Sequence, residues 1–280
     1  MKSIHVNDII NTVANLCVEV NCCLGDDVVR VLREAYEKES AELGRDALAQ
    51  ILENAEIARR ERLPICQDTG LAVFFVEVGQ DVLIEGGNLE EALHEGVRRG
   101  YRQGYLRSSV VDDPFVRRNT GDNTPAVIHM NVCDGNLLKI TFMPKGAGSE
   151  NMSGLRMLSP SDGLEGVMDF VVETVAQAGG NPCPPIIVGV GAGGSMEKAC
   201  LLAKQALLRD VGQANSEPRL AEIEKELLRR INGLGIGPAG YGGRVTALAV
   251  HLDVFPTHIA MLPVAVNINC HAVRHGEVIL

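Results

Sequence analysis

The chain has 280 residues, 46% hydrophobic and 22% charged, enough apolar material for one large globular domain or two smaller ones. Its net charge is −10 and no Lys/Arg run alternates with aromatics, so neither nucleic acid nor an anionic membrane surface is expected as a partner; a small anion is admissible where local cations offset the global field. The opening MKSIHVNDIINTVANL lacks a basic segment followed by an apolar stretch, and no run approaches about 18 apolar residues, so we expect a cytoplasmic protein whose eight cysteines are thiols or metal ligands rather than disulfides.

From about residue 5 to 60, apolar residues recur at three- and four-residue spacing (Ile9, Val13, Leu16, Val20; Val28, Leu32, Ala35; Leu48, Ile51, Leu52), which predicts a helical N-terminal region over 1–62. The remainder, 63–280, reads as one continuous body of alternating strands and helices. LAVFFVEV is a predicted strand, NLEEALHEGVRRGYRQG an amphipathic helix, and AVIHMNVC with NLLKITFMP a hairpin around Asp134 and Gly135. Residues 163–178 predict a helix, PPIIVGV a short buried strand, SMEKACLLAKQALLRD and EPRLAEIEKELLRRING two further helices, and RVTALAVHLDVF and HIAMLPVAVNI strands. The expected fold is α/β: a helical N-terminal region packed on a body with a mixed sheet and glycine-rich loops. There is no internal repeat and no low-complexity linker; Pro and Gly gather in RRNTGDNTPA, MPKGAGSENMSG, GGNPCPP, GVGAGGS and GIGPAGYGG.

GVGAGGS places Gly189, Gly191 and Gly194 in the G-x-G-x-x-G pattern between a strand and a helix, as a dinucleotide fingerprint requires. The acidic residue after a second strand is missing, because Asp210 is followed by a polar turn and a helix. A nicotinamide-dependent oxidoreductase is therefore one reading, and close packing of helix on strand the other.

Cys17, Cys22, Cys23 and Cys200 lie in helical patterns and Cys133 ends a strand, where cysteine serves as a small packing residue. Cys66, Cys183 and Cys270 instead sit in loops at strand edges, in LPICQDTG, GNPCPPI and NINCHAVRHGE. They are too far apart in sequence for a zinc ribbon or finger, which needs close pairs. Half-buried structural thiols remain one reading. A site assembled from three distant loops is the other, one thiolate short of the set that usually holds a 4Fe-4S cluster, which would leave one iron open as a Lewis acid. Arg107, Arg117, Arg118, Lys145 and Arg244 lie in or beside the loops, available either to an anion or to surface ion pairs.

Together, ICQDTG, YLRSSVV, RNTGDNTPA, KGAGSENMS, NPCPPIIVGVGAGG, GIGPAGYGG and NINCHAVRHGE resemble the alpha subunit of the iron-sulfur class I fumarate hydratase and L-tartrate dehydratase family. The resemblance implies an iron-sulfur hydro-lyase that reversibly hydrates fumarate to malate, or its close relative acting on L-tartrate. Cys66, Cys183 and Cys270 match the three ligands of a 4Fe-4S cluster with one iron open to substrate. Gln67, Asp68, Arg107 and the Gly146–Ala147 turn match substrate-contacting positions, with Asp68 also a candidate catalytic group. Single-chain relatives carry the base and further substrate-binding residues in a second domain that has no counterpart here. The resemblance thus implies a separate beta subunit and a higher oligomer of alpha-beta pairs.

Overall fold

The computed structural model describes residues 2–280. In chain order its elements are β1 (Lys2–His5), α1 (Val6–Cys22), α2 (Asp26–Lys38), α3 (Glu42–Glu61), β2 (Leu71–Gly79), β3 (Val82–Glu85), α4 (Leu89–Gln103), β4 (Val127–Cys133), β5 (Leu138–Lys145), the single turn α5 (Ala147–Glu150), β6 (Gly154–Leu158), α6 (Gly163–Ala178), β7 (Ile186–Gly193), α7 (Met196–Ala206), α8 (Pro218–Asn232), β8 (Ala247–Phe255), β9 (Leu262–Asn269) and β10 (Gly276–Ile279). The fold is α/β with mixed sheets and an N-terminal run of helices, as expected. Contacts divide the chain into two compact units, neither contiguous in sequence: one comprises the chain up to Gly25, Ala55–Ala147 and Arg274–Leu280, the other Asp26–Asn54 and Gly148–Val273. Among the described residues no helix is long and apolar enough to cross a membrane.

In the first unit a four-stranded sheet has the order β10-β5-β2-β4, and β1 pairs in parallel with β3. The expected hairpin of β4 and β5 does not form. β2 lies between them, parallel to β4 and antiparallel to β5. The reason is burial: LAVFFVEVG is buried at five consecutive positions, so its backbone groups find partners on both edges, whereas β4 is half exposed. The Asp134–Gly135 turn instead receives the end of β2, with the Asp81 N–H donating to the Gly135 carbonyl at 2.9 Å. α1 and α4 cover the core built on Phe74, Leu138, Ile140 and Phe142. They approach closely because α4 has glycines at the crossing, where a Cβ on Gly96 would lie 2.6 Å from Val13 Cβ.

The second unit carries the sheet β6-β9-β7-β8, with β7 parallel to β8 and antiparallel to β9. Alternation along β9 separates its two faces. Val264, Val266 and Ile268 join a core with α6 and α8, while Ala265 packs on Ala199 and Ala203 of α7. From the polar turn and helix after Asp210 no strand-helix-strand unit is expected to close; one does, because β7 and β8 pair in parallel across the two helices α7 and α8.

Candidate functional site

In the first unit, the loop between α3 and β2 folds RLPICQDTG into a tight turn whose polar side chains bond to its own backbone. The Asp68 N–H points at Cys66 Sγ, 3.4 Å away, and the Cys66 thiol lies 3.5 Å from Gln67 Oε1. Asp68 clamps two loops together. Its Oδ1 accepts from Gly70 N at 3.0 Å and its Oδ2 from Ala147 N at 2.9 Å, so the ICQDTG turn is tied to the start of KGAG. Gly70 has φ +77°, and a Cβ there would sit 2.7 Å from Lys145 N, which is why the turn can lie against the end of β5. Cys66 and Asp68 are half-buried and Gln67 is exposed.

Arg107 joins this group through the main chain. Thr69 Oγ1 accepts from Arg107 N at 2.9 Å and donates to Arg107 O at 3.2 Å, fixing the backbone beside the turn. The Arg107 side chain is exposed and makes no hydrogen bond or ion pair with the described residues, leaving its planar fork available to a carboxylate. The structure thus brings Cys66, Gln67, Asp68, Arg107, Gly146 and Ala147 together in one unit, although they span 82 positions of sequence from Cys66 to Ala147.

Several residues that hold this turn escaped the sequence reading. Tyr101 Oη donates to the Thr69 and Gly70 carbonyls at 2.8 and 3.1 Å, and Asn123 Nδ2 to the Gly70 carbonyl at 3.2 Å. Arg274, only 6% exposed, donates from Nη2 to the Asp68 carbonyl at 3.0 Å and from Nε and Nη2 to Asn21 Oδ1. Asn123 and Arg274 lie inside quoted motifs, RNTGDNTPA and NINCHAVRHGE. Tyr101 and Asn21 lie in helices whose periodicity marks them only as core positions.

The second unit gathers Cys183 and Cys270. β7 begins where β9 ends, Ile187 opposite Asn269, so the loop entering one strand meets the loop leaving the other. The ring Nδ1 of His271 lies 2.9 Å from the Cys183 carbonyl oxygen and joins them. Cys183 is exposed and adopts φ +56°, in a turn closed by its N–H on the Gly180 carbonyl at 3.1 Å. The GIGPAGYGG loop backs this turn: Ala239 N donates to the Pro184 carbonyl at 2.8 Å. Beside Cys270, Ser149 of α5 lies 3.5 Å from Asn269 Oδ1, and Asn267 Nδ2 donates to Glu150 at 2.9 Å.

A family profile described as Fumarate hydratase (Fumerase) matches residues 10–279. The chain belongs to the fumarate hydratase family. It is 44% identical over 272 residues to a Methanocaldococcus jannaschii protein provisionally named L(+)-tartrate dehydratase subunit alpha, covering 95% of each chain. It is 34% identical over 282 residues to the L(+)-tartrate dehydratase subunit alpha of Escherichia coli O157:H7, covering 100% of this chain and 93% of the other.

Fumarate hydratase family membership gives the cysteines a chemical test, since a metal-bound thiol must ionise. Burial pushes the Cys17, Cys22, Cys23 and Cys200 thiols up, Cys17 furthest, which opposes ionisation. Cys66, Cys183 and Cys270 lie in loops, exposed or half-buried, and a backbone N–H faces the Cys66 sulfur; three loop thiols are the donor type that holds an iron-sulfur group. Among the described residues no three His, Cys, Asp or Glu side chains are gathered at metal-holding distance, and none of the eight cysteines is in a disulfide. Of the other cations, Arg118 pairs with Asp112 at 2.6 Å, Arg117 bonds the Pro114 carbonyl and Lys145 is buried at the end of β5, while the Arg244 side chain is exposed.

The glycines of GVGAGGS are explained by packing. A Cβ at Gly189 would overlap the Ala203 carbonyl oxygen, one at Gly191 the Ala199 carbonyl oxygen, and one at Gly193 the Phe255 carbonyl oxygen. Gly189 and Gly191 lie within β7 with α7 lying directly over them, so these two are spent on helix-strand contact and not on a phosphate loop.

Proposed function

We propose that this chain is the alpha subunit of an iron-sulfur hydro-lyase that adds water to fumarate to give malate, or removes water from a closely similar 2-hydroxy dicarboxylate. The observation that carries the reading is the Cys66–Asp68 turn, a thiol, an amide and a carboxylate locked to the Gly146–Ala147 loop beside an uncommitted arginine, in a chain of this family. The names of the curated relatives favour L(+)-tartrate as the second reading.

Cys66, Cys183 and Cys270 would hold a 4Fe-4S cluster through three irons. When bound, such a cluster supplies an open iron that polarises a hydroxyl for departure as water. The chain's own groups do the rest. Arg107 pairs bidentately with a substrate carboxylate and stabilises the negative charge that spreads into it once the neighbouring carbon loses its proton. Gln67 and the Gly146–Ala147 backbone orient the substrate. Asp68, whose two oxygens accept from Gly70 N and Ala147 N, orients the departing hydroxyl by accepting its hydrogen bond, or tunes protonation around it. The proton-abstracting base belongs to a beta subunit, the enzyme forms a higher oligomer of alpha-beta pairs, and a cytoplasmic location is part of this reading, supported by a cysteine set without disulfides.

Anaerobic co-production with a beta subunit of the family tests this. Malate, L(+)-tartrate and citramalate are then assayed for water elimination, with iron and sulfide analysed in parallel. The expected result is one preferred substrate, about four irons per pair, and no turnover by the alpha chain alone. Full turnover without a second polypeptide, or a chain that binds no iron and eliminates no water in the complex, would overturn it.

A further inference from the structure

The residue after α2, Glu39, is 3% exposed, yet no cation among the described residues pairs with it. Its carboxylate is satisfied entirely by main-chain donors. Oε1 accepts from Ser40 N at 2.8 Å and Ala41 N at 2.9 Å; Oε2 accepts from Arg244 N at 2.8 Å and Val245 N at 3.1 Å. Two of these close the local turn, and the other two reach a loop some 205 residues further along the chain. Gly243, at φ +134°, is the neighbour that makes room, since a Cβ there would stand 2.7 Å from both carboxylate oxygens.

The clamped loop leads to the Cys183 turn. Gly242 N donates to the Ile236 carbonyl and Gly237 N to Thr246 Oγ1, so residues 236–246 form one closed unit. That unit touches the cysteine turn at three points: Ala239 N on the Pro184 carbonyl, Gly240 against Gly180, and Ile186 N on the Thr246 carbonyl. With φ +56° at Cys183, a conformation L-residues adopt reluctantly, the turn needs such external support.

We propose that Glu39 is a positioning residue for the Cys183 thiol, acting through the 236–246 loop. This rests on the reading of Cys183 as a cluster ligand, but the first arm of its test does not. Hydrogen exchange is measured on the full-length metal-free chain, wild type against Glu39→Gln, whose amide presents an N–H to donors that need an acceptor. Exchange should accelerate about tenfold at 180–183 as well as at 239–246, with the Cys66 turn and the centres of β7 and β9 unchanged. Release confined to 244–245, or acceleration spread over the β7 and β9 core, would overturn the proposal: the first means the clamp stops short of Cys183, the second that Glu39 only stabilises the unit. Gly243→Ala attacks the same junction from the loop side and serves where Glu39→Gln does not fold; wild-type exchange at 180–183 in that variant also overturns it. In the holoenzyme with its beta subunit, Glu39→Gln should lose iron about tenfold faster than wild type. A wild-type holoenzyme without iron refutes the functional reading and leaves the exchange result standing.

Discussion

The two units hold their cysteine turns by opposite means. In the first, side chains do it: Asp68, Thr69, Tyr101, Asn123 and Arg274 all bond to backbone around Cys66. In the second, main chain carries most of it: beside the His271 ring on the Cys183 carbonyl, the Cys183 turn is supported by main-chain hydrogen bonds and by glycines that let one segment lie directly on another. The side-chain network loses one bond at a time and should fail in steps, whereas close packing has no slack and fails at a single added methyl.

The contrast breaks most sharply at Gly191→Ala. The new Cβ overlaps the Ala199 carbonyl oxygen, so α7 must lift off β7, and a loss of about 3 kcal/mol or more in denaturant-measured stability is expected. Arg274→Met, in the other unit, strips Asn21 Oδ1 and the Asp68 carbonyl of a buried donor and should cost about 2–3 kcal/mol without forcing any segment apart. A Gly191→Ala variant as stable as wild type would mean that the strand and helix separate freely.

Glu39 gives the contrast a pH axis. Burial raises its carboxyl, but four backbone N–H bonds outweigh this and hold it below the usual carboxylate range. A depressed folded-state value stabilises the protein fully above the unfolded value of about 4.3 and is lost as pH falls through the folded one. Glu39→Gln should therefore be less stable than wild type by about 2 kcal/mol at neutral pH, and the gap should close on acidification below about pH 4. Thermal melts across that range measure it; a pH-independent gap would show that the charge is not the source.

Smaller effects on stability expose function. Asp68→Asn keeps an acceptor for Gly70 but turns an amide toward Ala147 N, at about 1 kcal/mol, while turnover should fall about 10²-fold or more. Arg107→Lys should leave stability within about 0.5 kcal/mol, since its side chain contacts nothing that a shorter cation would leave unpaired. Its kcat/KM should drop about tenfold, because an ammonium cannot reproduce two parallel hydrogen bonds to a carboxylate. Wild-type kinetics in that variant would assign Arg107 to the surface.

Local elements were legible in the residues alone. Three- and four-residue spacing marked α1 to α3, buried β-branched runs marked β2 and β7, and Pro and Gly marked the loops in which Cys66, Cys183 and Cys270 lie. These are legible because helical and strand periods and turn chemistry act over a few residues. Partner choice in the sheets was not. Asp134-Gly135 reads as a hairpin turn, and only the burial of β2 on both faces, a property of the assembled core, put that strand between β4 and β5. Likewise GVGAGGS carries a phosphate-loop pattern, and only the position of the Ala199 and Ala203 carbonyls over β7 shows that Gly189 and Gly191 are there to admit a helix. Asn21, Glu39 and Arg274 lie farthest from sequence reasoning: each is a buried polar residue whose partner is more than 200 positions away, and tertiary structure alone brings a donor and an acceptor so separated within hydrogen-bond reach.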